Sequence, residues 1–220
     1  MRIILSRHGN TFEPDEKVVM AGLKNDLALA QKGELQARDL GKKLKAEGII
    51  PEAFYCSELQ RTRRYAEIVI EELGIDATPI VDARINEVDY GNWTGLSDGE
   101  IIEKFGQDAV DAWQKYSQWP MPESAWTGTP EEKKQEVLSF CAEIAEKYQG
   151  NKTILAVSHG GLIRSFLNLF TPPMAEINCY EYASEQGEFP SWKVKTGNYC
   201  ILEYTYGNWQ HEGWNLPSGV

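Results

Sequence analysis

Two of the three histidines in the chain stand in matching contexts. His8 lies in Arg7-His8-Gly9, after the apolar run Ile3-Ile4-Leu5. His159 lies in Ser158-His159-Gly160-Gly161, after the run Thr153 to Ser158. Each reads as an imidazole at the carboxyl end of a buried strand, the edge where open α/β sheets bind ligands. The glycines that follow let the backbone turn sharply and approach a ligand. One such histidine is ordinary structure, whereas two in parallel settings point to a site. Arginine and imidazole gathered at one edge suit an anion. His211, among polar residues near the C-terminus, has no such context.

These side chains need elements to hold them. Ile3 to Ser6, Ala53 to Cys56, Thr78 to Val81, Thr153 to Ser158 and Tyr199 to Tyr206 read as strands. Gln31 to Glu47 reads as an amphipathic helix with Leu35, Leu40 and Leu44 on one face, stopping near Gly48. Leu59 to Leu73 is a second helix, with Ala66, Ile68, Val69 and Ile70 for packing and Gly74 as its stop. Thr129 and Pro130 start a third, whose stripe is Val137, Cys141, Ile144, Ala145 and Tyr148. Leu162 to Leu169 reads as a short helix. Strands alternating with helices predict an α/β fold of three layers, a mostly parallel sheet flanked by helices. Residues 1–220 read as one domain, with an irregular lid-like insertion over about 82–128.

The chain has 220 residues, 33 acidic against 22 basic, and a formal charge of -11. Its 42% hydrophobic and 25% charged content is that of a globular protein, not a disordered or membrane one. The acidic balance disfavours nucleic acid, which requires a basic face. The first residues carry too short an apolar run for a signal core or a membrane span. Cys56, Cys141, Cys179 and Cys200 are scattered without a Cys-x-x-Cys, which predicts buried thiols in a reduced, cytoplasmic chain. No His-x-x-x-His or cysteine pair offers ligands for a metal, and no cofactor is expected.

Four segments, in order, resemble the blocks of the histidine phosphatase superfamily, the phosphoglycerate mutase-like family. They are Arg7-His8-Gly9-Asn10-Thr11, Ser57-Glu58-Leu59-Gln60-Arg61-Thr62, Glu87 to Leu96 (matching Glu-x-x-x-Gly-x-Trp-x-Gly), and Val157-Ser158-His159-Gly160-Gly161. The resemblance implies a phosphatase that acts on a small phosphorylated substrate through a phosphohistidine at His8. The nucleophile must be neutral, with its other ring nitrogen fixed by a backbone carbonyl. Arg7, Arg61 and His159 match the positions that hold the phosphoryl group, for which a planar guanidinium fork is suited. An electropositive pocket should keep His8 neutral and favour a charged His159 only with phosphate present. Glu87 matches the acid that protonates the leaving oxygen, a role for which a partly buried carboxyl beside phosphate can hold a proton near neutral pH. Asp89 is its local competitor. Asn10 and Thr11, in the turn after His8, offer polar atoms to phosphate. Ser57 either donates to the site or caps the helix carrying Arg61. Arg64, one turn beyond Arg61, either reaches the site or is, like Arg63, solvated helix charge.

Departures from the pattern are local. Pro14 stands where many members carry an asparagine, and Ala28 and Ala30 replace Pro and Thr in the segment Asn25 to Gly33. Losing a Thr cap costs about 1 kcal/mol. Ser97-Asp98-Gly99-Glu100 is acidic where mutases carry basic residues, which favours hydrolysis over mutase chemistry. Trp113, Tyr116, Trp119, Met121 and Trp126 form either a wall over the leaving group or the core of the insertion. A phosphoglycerate-type mutase and a non-catalytic phospho-ligand binding module stay open as alternatives.

Overall fold

The strand order explains why both histidines meet. The computed structural model describes residues 1–120, 124–170 and 192–219. Met121 and Cys179 lie outside them. Six strands form one sheet in the order β3-β2-β4-β1-β5-β6. They are β1 (Arg2–Arg7), β2 (Ala53–Cys56), β3 (Ile80–Val81), β4 (Thr153–Ser158), β5 (Tyr199–Thr205) and β6 (Asn208–Leu216). The first four are mutually parallel, while β5 runs antiparallel to β1 and β6 antiparallel to β5. The sheet is therefore mixed, and β6 follows the last of the expected strands. Tyr206 and Gly207 both take positive φ and join β5 to β6. Two residues at positive φ make the tight hairpin turn whose twist suits the strands.

Helices α1 (Gln31–Ala46) and α2 (Gln60–Leu73) cover one face of the sheet. Helix α5 (Pro130–Lys147) and the 3-10 helix Leu162–Leu169 cover the other. Side chains alternate across a strand, so Ile3 and Leu5 of β1 join one core while Ile4 joins the other. β4 divides likewise, Ile154 and Ala156 against Leu155 and Val157. This is the expected three-layer arrangement.

Leu35 is 54% exposed, and α1 packs instead through Ala37, Leu40 and Leu44. Phe140 joins Val137, Cys141 and Ile144 in the buried stripe of α5, whereas Ala145 and Tyr148 are only partly buried. Thr129 caps α5 through the Glu132 amide in a full capping box with Pro130 in the first turn. Ala30 caps α1 without a side chain, but Glu13 Oε1 accepts from the Gln31 amide at 3.0 Å and takes up one free donor there.

Between β3 and α5 the chain folds on a smaller core of its own. Helices α3 (Asp98–Phe105) and α4 (Gln107–Tyr116) pack Ile101, Val110 and Trp113 against Val88, Tyr90 and Trp93. Trp119 and Trp126 pack on the same cluster. Cys56, Cys141 and Cys200 are buried free thiols. Among the described residues no helix is long and apolar enough to cross a membrane.

Candidate active site

Parallel register places the two imidazoles side by side. Arg7 pairs with Ser158 at the last position of the β1–β4 ladder. The next residues on each strand are His8 and His159, and the His8 amide donates to the Ser158 carbonyl at 3.0 Å. Their ring centroids lie 5.0 Å apart at 65°. Both are buried.

His8 Nδ1 lies 2.7 Å from the carbonyl oxygen of Gly9. A carbonyl only accepts, so Nδ1 carries the proton and Nε2 keeps a lone pair. Burial lowers the His8 pKa well below the ordinary histidine value, and the charges of Arg61 and Arg7 lower it further. The Gly9 bond opposes this only in part. His159 is depressed in the same direction, first by burial, then by Arg61, His8 and Arg7.

Arg61, 1% exposed, is almost fully committed. Its Nη1 donates to the Asn25 carbonyl at 2.8 Å and Nη2 to the Gly22 carbonyl at 2.9 Å. Its Nε donates to His159 Nδ1 at 3.3 Å. The fork expected to grip an anion thus holds the Gly22–Asn25 loop. Arg7, partly buried, donates from Nη1 to the Val194 carbonyl at 2.7 Å. Burial lowers the pKa of both arginines, against the pull of Glu87.

Glu87, on the chain leading into the second core, reaches the loop after His159. Its Oε1 accepts from the Val88 and Leu162 amides at 3.0 and 3.1 Å, and its Oε2 from the Gly161 amide at 3.3 Å. Asp89 instead pairs with Lys24 at 2.9 Å and accepts from the Gly91 amide. The two carboxylates are thereby separated in role, with Glu87 alone lining the cavity beside the histidine.

The glycines serve packing more than ligand approach. A Cβ on Gly9 would strike the backbone of Gly33 in α1, and one on Gly160 would lie 2.9 Å from the Arg7 guanidinium. On Gly161 a Cβ would collide with the Tyr90 hydroxyl and lie 2.5 Å from Glu87 Oε1.

A cavity of about 610 Å³ opens over these residues, lined by Arg7, His8, Asn10, Thr11, Arg61 and Glu87 among others. That volume suits a small ligand. Asn10 Oδ1 accepts from the Thr196 hydroxyl at 2.6 Å. His159 sits behind Arg61 and does not itself line the space. Pro14 and Phe12 form part of the wall, and Asp98 stands in it. Arg64 faces solvent-side acids, pairing with Glu71 at 2.8 Å, and Arg63 is exposed. Ser57 neither caps α2, whose cap is Leu59 without a side-chain bond, nor donates to the cavity: its Oγ accepts from the Leu59 amide at 3.2 Å and lies 2.8 Å from His159 Nε2. Among the described residues no group of three His, Cys, Asp or Glu side chains converges to hold a metal.

Two residues of the cavity, Tyr90 and Arg164, escaped the sequence. Tyr90 is buried against Glu87, and burial raises its hydroxyl well above the ordinary tyrosine pKa. Arg164 lies over the Trp113 ring at 4.3 Å and donates to the Trp113 carbonyl, bonding α4 to the 3-10 helix after His159. Trp113 therefore belongs to the core of the insertion and to the cavity wall at once. Tyr90 was visible inside a matched block; a lone arginine in an apolar helix was the one signal for Arg164.

A sequence profile described as Histidine phosphatase superfamily (branch 1) matches residues 3–217. The 2,3-bisphosphoglycerate-dependent phosphoglycerate mutase of Parvibaculum lavamentivorans is 31% identical over 167 residues, 75% of this chain and 77% of that protein. The enzyme of the same description from Corynebacterium diphtheriae is 29% identical, covering 80% and 81%. A mycobacterial glucosyl-3-phosphoglycerate phosphatase complexed with VO3 superposes with a TM-score of 0.78 at 22% identity over 98% of both chains. Bacillus stearothermophilus YhfR gives 0.75 at 25% identity over 98% and 96%.

Proposed function

Because the chain belongs to the histidine phosphatase superfamily, we propose that it hydrolyses a phosphate monoester through a covalent phosphohistidine at His8. One observation carries this: the Gly9 carbonyl holds the proton on Nδ1 of a buried, uncharged His8, leaving the Nε2 lone pair as nucleophile. In this reading Nε2 attacks phosphorus in line and the P–O bond to the alcohol breaks. Glu87 gives the leaving oxygen its proton, then takes one from the water that cleaves the phosphohistidine. Ester and water become alcohol and phosphate, and His8 and Glu87 return to their starting states. Arg7, Arg61 and His159 supply the positive field for the charge on the transferring group, and Asn10 and Thr11 line its approach.

The mutase reading draws on the relatives named phosphoglycerate mutases. Asp98 in the cavity wall weighs against it, since a carboxylate there repels a twice-phosphorylated ligand. We take the domain to be the whole chain, with 82–128 as its lid-like insertion. Its free buried thiols fit a reducing cytoplasm, and its substrate is a small phosphate ester handled without a metal or cofactor.

A panel of phosphate monoesters, scored for phosphate release and for acid-quenched phosphate on the protein, tests the proposal. His8→Ala should lose both, with turnover down by at least ~10³-fold, as losses of covalent nucleophiles reach about 10⁶. Equal release by the variant rejects the assignment. A sharp rise of activity with a bisphosphorylated sugar acid selects the mutase.

A further inference from the structure

His159 has neither ring nitrogen free. Arg61 Nε is a permanent donor and lies 3.3 Å from Nδ1, so Nδ1 must accept. The ring proton therefore sits on Nε2, which donates to Ser57 Oγ at 2.8 Å. Ser57 Oγ also accepts from the Leu59 amide at 3.2 Å. Its own proton then goes to Thr62 Oγ1 at 2.7 Å, and the Thr62 proton to the Leu59 carbonyl at 2.8 Å. Every proton in the chain has an acceptor in this one arrangement. Ser57, Thr62 and His159 are fully buried, so no solvent replaces a missing partner.

We propose that Ser57, backed by Thr62, is a positioning residue that fixes His159 in its Nε2–H tautomer, making the Arg61–His159 bond a resting latch that a phosphoryl anion opens. The inference rests on the phosphoryl-transfer reading. While Arg61 Nε points at Nδ1, a second ring proton would face another N–H, and His159 stays neutral. An anion beside His8 competes for the Arg61 Nε–H. Once that donor turns to the anion, Nδ1 is released and takes the proton that a monoprotonated phosphoryl group carries in, next to the anion and with Nε2–H still held by Ser57. The positive charge on His159 thus arrives with the ligand, and a neutral ring next to Arg61 spares the empty site a further cation. Ser57 is the hinge because it accepts from Nε2 in both states.

Long-range proton–nitrogen NMR on the full ¹⁵N-labelled chain tests this, and the three histidines are assignable by single His→Gln variants. In the free protein His159 should show a protonated Nε2 and an unprotonated Nδ1. Saturating inorganic phosphate should protonate Nδ1. Ser57→Ala should leave mixed tautomers and lower kcat about ten-fold, with a smaller change in KM. Thr62→Val should move both readouts the same way by a lesser amount, and Ser57→Thr should restore the tautomer. These two variants carry the test if Ser57→Ala does not fold. A free-state Nδ1–H tautomer, or unaltered His159 signals and kcat in both Ser57→Ala and Thr62→Val, overturns the proposal. Correct tautomers without phosphate trapped on His8 would instead reject the phosphohistidine reading and leave the latch standing.

Discussion

The histidine pair and the acid that faces it are held by different kinds of structure. His8 and His159 extend adjacent parallel strands whose register runs unbroken from Arg2–Thr153 to Arg7–Ser158. Backbone ladders with a core on both faces fix their spacing. Glu87 and the wall beyond it come from the irregular chain between β3 and α5, which has its own aromatic cluster. That region is pinned to the histidine edge by a few directed bonds, Glu87 to the Gly161 and Leu162 amides and Arg164 to the Trp113 carbonyl. The lesson is a division of labour. Sheet register sets the histidine pair, while Glu87 and the aromatic wall come from a region with a core of its own.

The largest test of that division is Glu87→Gln. It keeps the shape of the side chain and removes the proton carrier, so turnover should fall about 10²- to 10⁴-fold. Phosphate should still be trapped on His8 from an ester with a good leaving group. Near-normal turnover would move the acid elsewhere, to Asp89 first.

Trp113→Ala should cost about 3–5 kcal/mol of local stability, the usual range for deleting a buried tryptophan. Hydrogen exchange should show faster exchange over α3 and α4 while the β1 and β4 amides stay protected. Equal loosening of both would mean that the two regions are one cooperative unit.

Gly161→Ala strikes the joint itself. Its Cβ collides with Tyr90 and Glu87, and overpacking of this kind costs about 1–3 kcal/mol. Activity should fall more than a stability loss alone explains, measured as kcat well below the melting temperature. A purely thermal effect would show that Glu87 and Gly161 are not coupled in function.

Solution pH probes the histidine pair without any substitution. Folding depresses the pKa of His8 and His159, so below the ordinary histidine pKa near 6.5 the unfolded chain binds more protons than the folded one. Stability then rises with pH, is fully present above about pH 6.5 and is lost as pH falls below it. The slope approaches ~1.4 kcal/mol per pH unit for each group. Urea unfolding between pH 5 and 7 should show it, and a His8→Asn variant should have a shallower slope. A flat profile in the native chain would mean that the pair is not buried neutral.

Much of the sheet was legible because its signals are local. Short apolar runs bounded by turns gave β1, β2 and β4, and glycine gave the helix stops at Gly48 and Gly74, both at positive φ. β6 was missed because Asn208 to Leu216 is polar on its exposed edge, with a weak alternation that only the pairing with β5 explains. Leu35 stands five and nine residues before Leu40 and Leu44, spacings that turn it to the far side of a helix with 3.6 residues per turn, so α1 buries Ala37, Leu40, Gly41 and Leu44 and leaves Leu35 to solvent. Gly9 and Gly160 stood out as turn residues, whereas their contacts with Gly33 and Arg7 join segments far apart in the chain.

The chain's own order determined which residues would gather. Arg7, His8, Arg61 and His159 each sit at or near the end of a recognisable element that local periodicity places, while Glu87, in irregular chain, was marked only by its block. Tertiary structure decided what each does with its hydrogen bonds. The fork of Arg61 is spent on the Gly22–Asn25 loop, Glu87 accepts from three amides, and both nitrogens of His159 are taken. Hydrogen bonds act over about 3 Å and depend on direction, so partners from distant segments are fixed only when register, helix rotation and loop closure are settled together.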